Sequence, residues 1–446
     1  MKISVVMPVY NAAEFLRESI GDILAQTFEE FELICVDDGS KDNSSEVIKE
    51  SAANDNRVKY LHQANAGAGT ARNRGMDAAK GKYLLFLDAD DRFESTMLEE
   101  LWNRAEETAA DVVIFGADCF MYGTERRRDA SWLLDKKYLT EEFIEQGVIR
   151  QDRKNEILYK ISTSTVWNKL FRTEFVRDKD IGFKEIYAAD CVYFVMTAIA
   201  LASRIAILNK SYVHYRESVP TGQLMNNYKN PTGVHEALCT VKERLEKEDI
   251  FENIKEAFLN YAVQFCLDRL SRFFASRAEE ELYNVLHYGG FEKLGLDFDG
   301  CSGIQLYSKN KLERCKEIHD MEYRDYLFWK QSMLKQMVNR TGSVYRLPEE
   351  LLSGKKKVAV YGAGNVGKSY FFRLLNMAEH QVIGWFDKNY ESCGYPVESP
   401  ELLRQRDVDA VIIGVLMGSV ADEISKDIQK LGVPKDKIFW EEPKVL

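Results

Sequence analysis

The stretch that decides the fold reads Leu-Leu-Phe-Leu-Asp-Ala-Asp-Asp over residues 84–91, an apolar run that ends in carboxylates. The run predicts a buried strand that delivers Asp88, Asp90 and Asp91 to the carboxyl end of a sheet, where α/β folds bind their ligands. Closely spaced carboxylates repel each other unless a cation lies between them, and Mg²⁺ and Mn²⁺ favour oxygen ligands that they share with substrate phosphates. The alternative is a polar loop in which Asp90 or Asp91 caps the next helix.

Short apolar runs alternate with helical patterns on both sides of this stretch. The runs predicted as strands are Ile3–Met7, Glu32–Val36, Val58–Leu61, Tyr83–Leu87 and Val112–Phe115. Alternating β and α units predict an α/β fold with a doubly wound, mostly parallel sheet. We predict three parts: an N-terminal α/β domain over 1–225, a mostly helical region over 226–350, and a second, smaller α/β domain over 355–446.

The composition is that of a globular protein, with 446 residues of which 45% are hydrophobic and 29% charged. The net charge of −11 argues against general binding to nucleic acid or to anionic membranes. The eight cysteines include no Cys-x-x-Cys pair, which argues against a zinc site and a disulfide framework. A strand follows Met1 almost directly, and the longest apolar stretch, around Val192 to Ala202, is too short to span a bilayer. We therefore expect no transmembrane segment and a cytoplasmic location, either free or peripheral at the inner face of the membrane.

Four polar motifs follow four of the predicted strands, each at the carboxyl end of its strand. They are Pro8-Val9-Tyr10-Asn11, Asp37-Asp38-Gly39-Ser40, the glycine-rich segment 65–75 that contains Arg72, and Asp88-Ala89-Asp90. Turns need Gly, Asn and Asp, but they do not need to coincide at one edge of a sheet. This ordered set closely resembles the inverting family 2 glycosyltransferases of the GT-A type, over about residues 1–220.

The resemblance implies a sugar transfer from a nucleotide diphosphate donor, with Mn²⁺ or Mg²⁺ held by an Asp-x-Asp motif. Asp90 would coordinate the metal, and Asp88 would contact the ribose or the metal. The donor-binding residues that it implies are Pro8, Val9 and Tyr10 as a wall for the base, Asp37 or Asp38 as acceptor from a uracil ring N–H, and Arg72 as partner of anionic or carbonyl groups. The alternatives are an Asx turn for Asp37 and Asp38 and a surface salt bridge for Arg72.

An inverting transfer also needs a base that removes the proton of the acceptor hydroxyl. The family carries it in a Glu-Asp pair that opens a helix downstream, and Asp190 matches the Asp of that pair. The preceding Glu is replaced by Ala189, which leaves Glu185 as a candidate support for the base. The alternative for Asp190 is a helix N-cap, and the two roles are compatible.

The C-terminal region has the spacing of a dinucleotide-binding turn. The strand Val358–Tyr361 leads into a glycine-rich turn with Gly362, Gly364 and Gly367, and Asp387 ends the next predicted strand, 20 residues after Gly367. The region resembles small Rossmann-like modules that bind nucleotides or coenzyme A. The alternative is a packing or oligomerisation module that keeps the glycines for geometry and makes the protein a homo-oligomer.

Together these patterns predict a metal-dependent inverting glycosyltransferase. The expected partners are a nucleotide-sugar donor, UDP-linked, and a glycan or lipid-linked glycan acceptor in cell-surface polysaccharide assembly. Two alternatives stay open. One is a nucleotide-sugar-binding scaffold with weak or no catalytic activity, and the other is a nucleotidyltransferase, which also combines a βα nucleotide site with a carboxylate-held metal.

Overall fold

The structure is a computed structural model, and its description covers most of the chain: residues 1–121, 127–130, 133–135, 137, 148–150, 158–186, 189–217, 229–273, 277–298, 306, 309–326, 345–375, 377, 379–390 and 397–445. The chain divides into two compact units. The first comprises Met1–Leu270 and Ala275–His319, and the second comprises Ser271–Phe274 and Asp320–Leu446. The division into three parts stays a prediction.

The N-terminal α/β part of the chain forms strands and helices in close alternation. Its elements are β1 (Ile3–Val9), α1 (Ala13–Leu24), β2 (Phe31–Asp37), α2 (Ser44–Asn54), β3 (Val58–His62), α3 (Ala68–Ala78), β4 (Tyr83–Phe86), β5 (Arg92–Phe93), α4 (Met97–Thr108), β6 (Val112–Met121), β7 (Arg127–Asp129), β8 (Val148–Arg150), β9 (Lys169–Arg172), α5 (Thr173–Asp178), α6 (Asp190–Leu201) and β10 (Arg204–Glu217). The five predicted strands correspond to β1, β2, β3, β4 and β6, and the fourth ends at Phe86, one residue before its predicted end.

One sheet of ten strands organises this part, with the order β3-β2-β1-β4-β9-β6-β10-β5, and with β7 on β6 and β8 on β10. The strands β1 to β4 pair in parallel, so their carboxyl ends share one edge. Val5 and Val6 on β1 are both fully buried, as expected for a parallel strand covered on both faces. The α/β class and the doubly wound character are confirmed. The antiparallel strand β9 lies between β4 and β6, so the sheet is mixed beyond β4.

Helix α6 is apolar almost throughout and packs against one face of the sheet. Phe194 on α6 stacks on Phe183 with ring centroids 4.2 Å apart and meets Phe86 on β4 and Phe171 on β9 edge to face. These contacts fix the first turn of α6, and with it Asp190, beside the carboxyl end of β4.

Helices dominate the described chain between residues 229 and 326. They are α7 (Gly233–Lys247), α8 (Phe251–Arg272), α9 (Arg277–Val285), α10 (Phe291–Leu294) and α11 (Lys309–Asp320), with a π-helical turn at Leu286–Gly290. Within the first unit, the hydroxyl of Tyr261 on α8 accepts a hydrogen bond of 3.1 Å from the backbone N–H of Ser164. No helix in the described part of the chain combines the length and the apolar character needed to cross a bilayer.

The second unit contains a smaller parallel sheet. Its elements are β11 (Tyr345–Arg346), β12 (Lys357–Tyr361), α12 (Asn365–Leu374), β13 (Gln381–Phe386), β14 (Val397–Glu398), β15 (Ala410–Ile413), α13 (Gly418–Lys430), β16 (Ile438–Phe439) and β17 (Lys444–Val445), with 3-10 turns at Glu349–Leu352, Pro400–Gln405 and Lys435–Lys437. The order β14-β13-β12-β15-β16 is that of a doubly wound sheet, with the strand order reversing between β12 and β15. β11 and β17 pair separately.

Candidate active site

The four polar motifs meet at the carboxyl edge of the N-terminal sheet and contact one another in sequence. The backbone N–H of Asn11, after β1, donates to the Ser40 hydroxyl, after β2. The carboxylate of Asp38 accepts hydrogen bonds of 2.8 Å from the backbone N–H groups of Ala66 and Gly67 in the third motif. Arg72 of the third motif donates to Asp88 of the fourth over 2.8 Å. The predicted site residues are therefore neighbours in space.

The two acidic residues at the end of β2, Asp37 and Asp38, are both buried and hydrogen-bonded. Asp37 accepts from the backbone N–H of Ser40 and lies 3.1 Å from His62 Nδ1. Hydrogen bonds from Ser40 and His62 outweigh burial and lower the pKa of Asp37. Asp38 is held by the turn before α3, with a further bond from Gln63. Both carboxylates stabilise the turns at the sheet edge by accepting hydrogen bonds. Their contact with a nucleotide base stays a prediction.

The predicted wall for the base is partly at the surface. Tyr10 is 47% exposed, an unusual state for so large a ring, and follows directly on β1. Pro8 is half-buried, while the side chain of Val9 belongs to the core. Tyr10 is thus the member of this motif whose side chain is accessible for stacking on a ligand.

The fourth motif concentrates negative charge in a confined space. Burial and the neighbouring Asp88 raise the pKa of Asp90 to about 6. Burial, with Asp90 and Asp88 close by, raises the pKa of Asp91 well above its ordinary value. The Oδ2 atom of Asp91 is buried without a hydrogen-bond partner. An ionised carboxylate that is buried without a partner is costly, so either a proton or a bound cation would stabilise this cluster.

Arg216, near the end of β10, donates hydrogen bonds to this acidic motif. Its backbone N–H donates to Asp91 Oδ1 over 2.8 Å, and its Nε donates to the carbonyl oxygen of Asp90 over 2.7 Å. The guanidinium lies 4.7 Å from the ring centres of both Phe15 and Phe120. Arg216 therefore fixes the backbone of the acidic turn, which the sequence alone did not indicate.

The residues present fit a hard divalent cation that is shared with a ligand. Among the described residues, no three His, Cys, Asp or Glu side chains are grouped so as to enclose a metal by themselves. A protein that binds Mg²⁺ through one or two carboxylates leaves the remaining positions to substrate phosphates and water. Asp90, with Asp88 beside it, meets that requirement.

Arg72 on α3 connects the acidic motif with the predicted base. It is 3% exposed, and its Nη2 donates to Asp88 while its Nη1 donates to Asp190 Oδ2, each over 2.8 Å. Burial opposes the charge, but the acidic groups of Cys191, Asp88 and Asp190 raise the pKa of Arg72 above its ordinary value. The guanidinium is a buried bridge, not a surface salt bridge.

Asp190 is the first residue of α6, and the residue before it, Ala189, occupies the N-cap position. No side chain caps this helix; the Asp190 carboxylate points to Arg72 instead. The N-cap alternative for Asp190 is therefore not what the structure displays. Glu185, the candidate support, is exposed on the loop before α6, and 187–188 lie outside the described residues.

Sequence comparison places this architecture among known proteins. Residues 4–178 match the family described as Glycosyl transferase family 2. Residues 4–178 therefore form a glycosyltransferase family 2 domain. The match covers β1 to α5 and ends before Asp190, so the family assignment includes the acidic motif but not the predicted base.

Individual relatives of this chain are named as glycosyltransferases. The uncharacterized glycosyltransferase EpsJ of Bacillus subtilis is 31% identical over 223 residues, 48% of this chain and 61% of EpsJ. The uncharacterized glycosyltransferase YibD of Escherichia coli is 34% identical over 220 residues, 48% of this chain and 62% of YibD. The chain thus spans about three-fifths of the length of these relatives.

Solved structures share the fold of the family 2 domain. The crystal structure of Staphylococcus aureus TarS 1–349 in complex with UDP has a TM-score of 0.55 at 22% identity, covering 78% of this chain and 93% of that one. The same TarS portion in complex with UDP-GlcNAc gives 0.53 at 23% identity, with coverage of 66% and 81%. At this identity the likeness establishes the fold alone.

The family 2 domain also contains a buried lysine, Lys169, which the sequence patterns did not single out. Lys169 on β9 is fully buried, and its ammonium donates to the carbonyl oxygens of Thr163 and Thr165 and to the Ser162 hydroxyl. Burial lowers the pKa of Lys169 well below its ordinary value. A charged residue inside the apolar run 166–171 was the available signal. The neighbouring Trp167 is buried and stacks on Tyr215, so it belongs to the core.

In the C-terminal glycine-rich turn, the backbones at Gly362 and Gly367 pack closely against each other. Gly362 has φ +110°, and a Cβ on Gly367 would lie 1.7 Å from the Gly362 carbonyl oxygen. Gly364 is exposed at the start of α12, with open space where its Cβ would be. Asp387 accepts a hydrogen bond of 2.7 Å from the backbone N–H of Ala363. Residues 354–439 match the family described as C2185-like, N-terminal.

Proposed function

We propose that this protein is a metal-dependent inverting glycosyltransferase that moves a sugar from a UDP-linked donor to a hydroxyl of a glycan or lipid-linked glycan. One observation carries the proposal. The acidic turn with Asp88, Asp90 and Asp91 lies at the carboxyl edge of a family 2 fold, Asp91 Oδ2 is buried there without a hydrogen-bond partner, and Arg72 joins Asp88 to Asp190. The TarS structures with UDP and UDP-GlcNAc support the choice of donor by analogy.

The chemistry follows from the two sides of this site. On the acceptor side, Asp190 takes the proton of the hydroxyl as its oxygen bonds to the anomeric carbon, and the bond from that carbon to the diphosphate oxygen breaks. Attack from the face opposite the leaving group inverts the configuration. On the donor side, Asp90 and Asp88 would hold Mn²⁺ or Mg²⁺, which neutralises charge on the leaving diphosphate. Tyr10 offers a stacking surface to the base.

The acceptor and the location follow from resemblance and from the relatives. The TarS relative is named as a poly(ribitol-phosphate) β-N-acetylglucosaminyltransferase and is 26% identical over 263 residues. Its name describes transfer of N-acetylglucosamine onto poly(ribitol phosphate). We place the reaction in cell-surface glycan assembly at the cytoplasmic face of the membrane.

A donor screen tests the proposal. The protein is incubated with a panel of UDP-sugars and Mn²⁺, with and without EDTA, and the products are read by mass spectrometry. Free UDP that depends on Mn²⁺ supports sugar transfer, because transfer or donor hydrolysis releases UDP. Pyrophosphate from a sugar phosphate and UTP would indicate nucleotidyl transfer, and binding of the donor without any product would indicate a scaffold.

For the C-terminal unit we propose that the turn at Gly362, Gly364 and Gly367 binds a nucleotide phosphate, with Asp387 near the ribose. The exposed Gly364 at the start of α12 supports this, because its backbone is open to a phosphate. Calorimetry on the full chain, with adenine and uridine nucleotides, tests it. Gly364→Val should remove binding that persists in Asp90→Asn. Absence of any such binding in the parent chain would favour the packing module.

A further inference from the structure

The guanidinium of Arg72 lies between the two halves of the proposed reaction. Its Nη2 meets Asp88, 16 residues along the chain, and its Nη1 meets Asp190, 118 residues along the chain. One planar group thus bonds both the donor-side motif and the predicted base. A guanidinium can serve two carboxylates at once because its N–H groups point in fixed, divergent directions.

The surroundings of Arg72 leave it little freedom. The guanidinium carbon lies 5.6 Å from the ring centre of Phe183, which stacks on α6 through Phe194. The Sγ atom of Cys191 is 3.4 Å from Nη1, and burial raises the pKa of this thiol, so it is neutral at pH 7. The Nε atom is buried without a hydrogen-bond partner. The bridge to the two carboxylates is therefore what compensates the buried charge.

The first turn of α3 touches Asp190 as well. A Cβ on Gly69 would lie 2.8 Å from Asp190 Cβ and 3.3 Å from the Lys184 carbonyl oxygen. The absence of a side chain at this position lets α3 approach the predicted base, three residues before Arg72. Only Oδ2 of Asp190 is engaged by Arg72, so Oδ1 is left for an acceptor hydroxyl.

We propose that Arg72 is a positioning residue, which fixes Asp190 relative to Asp88 so that the base and the donor motif keep one geometry. The inference rests on the proposed function and specifies what holds its two halves together. It replaces a direct donor contact as the main role of Arg72. Support of the base passes through Arg72 instead of through the Glu that Ala189 has replaced.

The experiment compares Arg72→Ala with Arg74→Ala, an exposed arginine on the same helix. Turnover is measured as UDP release and donor affinity by calorimetry with Mn²⁺ and UDP. Arg72→Ala should lower turnover roughly 10²-fold, the scale of a misplaced catalytic group, and leave donor affinity unchanged. Added guanidinium ion should restore part of the turnover in Arg72→Ala and none in Asp190→Asn. Arg74→Ala should match the parent.

Two results would overturn the inference. Wild-type turnover in Arg72→Ala is one, and weakened UDP binding with unchanged turnover is the other, since that pattern belongs to a donor contact. If Arg72→Ala does not fold, Arg72→Lys replaces it. Lysine keeps the positive charge but lacks the planar guanidinium that bonds two carboxylates at once. The same turnover loss at unchanged donor affinity is then expected, and parent-like turnover overturns the inference.

A second measurement separates this inference from the proposed function. If no UDP-sugar is consumed by the parent protein, the proposed function fails, but the coupling of Arg72 to Asp190 is still measurable. Urea unfolding of Arg72→Lys, Asp190→Asn and the double variant should give non-additive midpoint shifts. Additive shifts would contradict the coupling whatever the activity.

Discussion

Both sheets of this protein place acidic residues at the carboxyl ends of parallel strands, but the carboxylates of the two sheets have different hydrogen-bond partners. In the first unit, Asp91 Oδ2 is buried without a partner, and burial with Asp88 raises the pKa of Asp90 to about 6. In the second unit, Asp387 accepts hydrogen bonds of 2.7 Å from the backbone N–H groups of Ala363 and Asn389. The first turn leaves one buried carboxylate oxygen without a partner, which a bound cation would satisfy, whereas the carboxylate of the second turn already has its hydrogen bonds.

The largest effect on turnover should come from substituting Asp190, the predicted base in the first unit. Asp190→Asn keeps the volume and removes the proton acceptor, so turnover should fall by about 10²-fold or more, the scale of a lost general base. Donor affinity should stay unchanged, because Asp190 lies on the acceptor side. Steady-state UDP release and calorimetry with UDP measure the two quantities.

Glu185→Gln is the matched control for this substitution. Glu185 is exposed on the loop before α6, and no ion pair or hydrogen bond links it to the site within the described residues. The turnover of Glu185→Gln should equal that of the parent protein. The reverse pattern, with Asp190→Asn active and Glu185→Gln inactive, would move the base to Glu185.

A smaller effect should follow from loosening the acidic turn. Arg216→Gln removes the Nε bond to the Asp90 carbonyl and the guanidinium between Phe15 and Phe120. Loss of such outer support typically lowers metal affinity 10- to 100-fold. Mn²⁺ titration in the presence of UDP measures this. Arg92→Gln, on the strand paired with β10, is the control, because Arg92 contacts Asp22 and not the acidic turn; equal losses in both variants would refute the role of Arg216.

The smallest effect concerns the stability of the second unit and tests whether its glycine-rich turn depends on close packing. A Cβ on Gly367 would lie 1.7 Å from the Gly362 carbonyl, so Gly367→Ala should lower the free energy of unfolding by about 1–3 kcal/mol, as overpacking does. Gly364→Ala meets open space and should be close to neutral. Urea unfolding followed by fluorescence measures both. Equal stability of the two variants would show that the turn does not depend on this packing.

The sequence was sufficient for the class of fold and for the gathering of the site. Apolar runs identify β1 to β4, and parallel pairing brings their carboxyl ends to one edge, so Asp37, Arg72 and Asp88 had to lie near each other. The insertion of β9 between β4 and β6 was beyond reach, because strand order depends on long-range packing that a local pattern does not encode.

The contacts that complete the site were not predictable for the same reason. Arg72 and Asp190 are 118 residues apart, and their pairing depends on how Phe183 and Phe194 hold α6 against the sheet. Local spacing pointed to an N-cap at Asp190, whereas the helix begins one residue earlier than that role requires. Likewise, the bond from Arg216 Nε to the Asp90 carbonyl oxygen joins residues 126 positions apart, which local spacing does not reveal.

The measurement that tests the central claim most directly is the binding of UDP to the parent protein and to Asp90→Asn, by calorimetry with Mn²⁺ and with EDTA. If the acidic turn of the first unit holds a metal for a diphosphate, UDP binds the parent protein much more tightly with Mn²⁺ than with EDTA, and Asp90→Asn loses that gain while its unfolding midpoint without metal does not fall. UDP binding that is the same with Mn²⁺ and EDTA, or a full Mn²⁺-dependent gain in Asp90→Asn, would contradict the account.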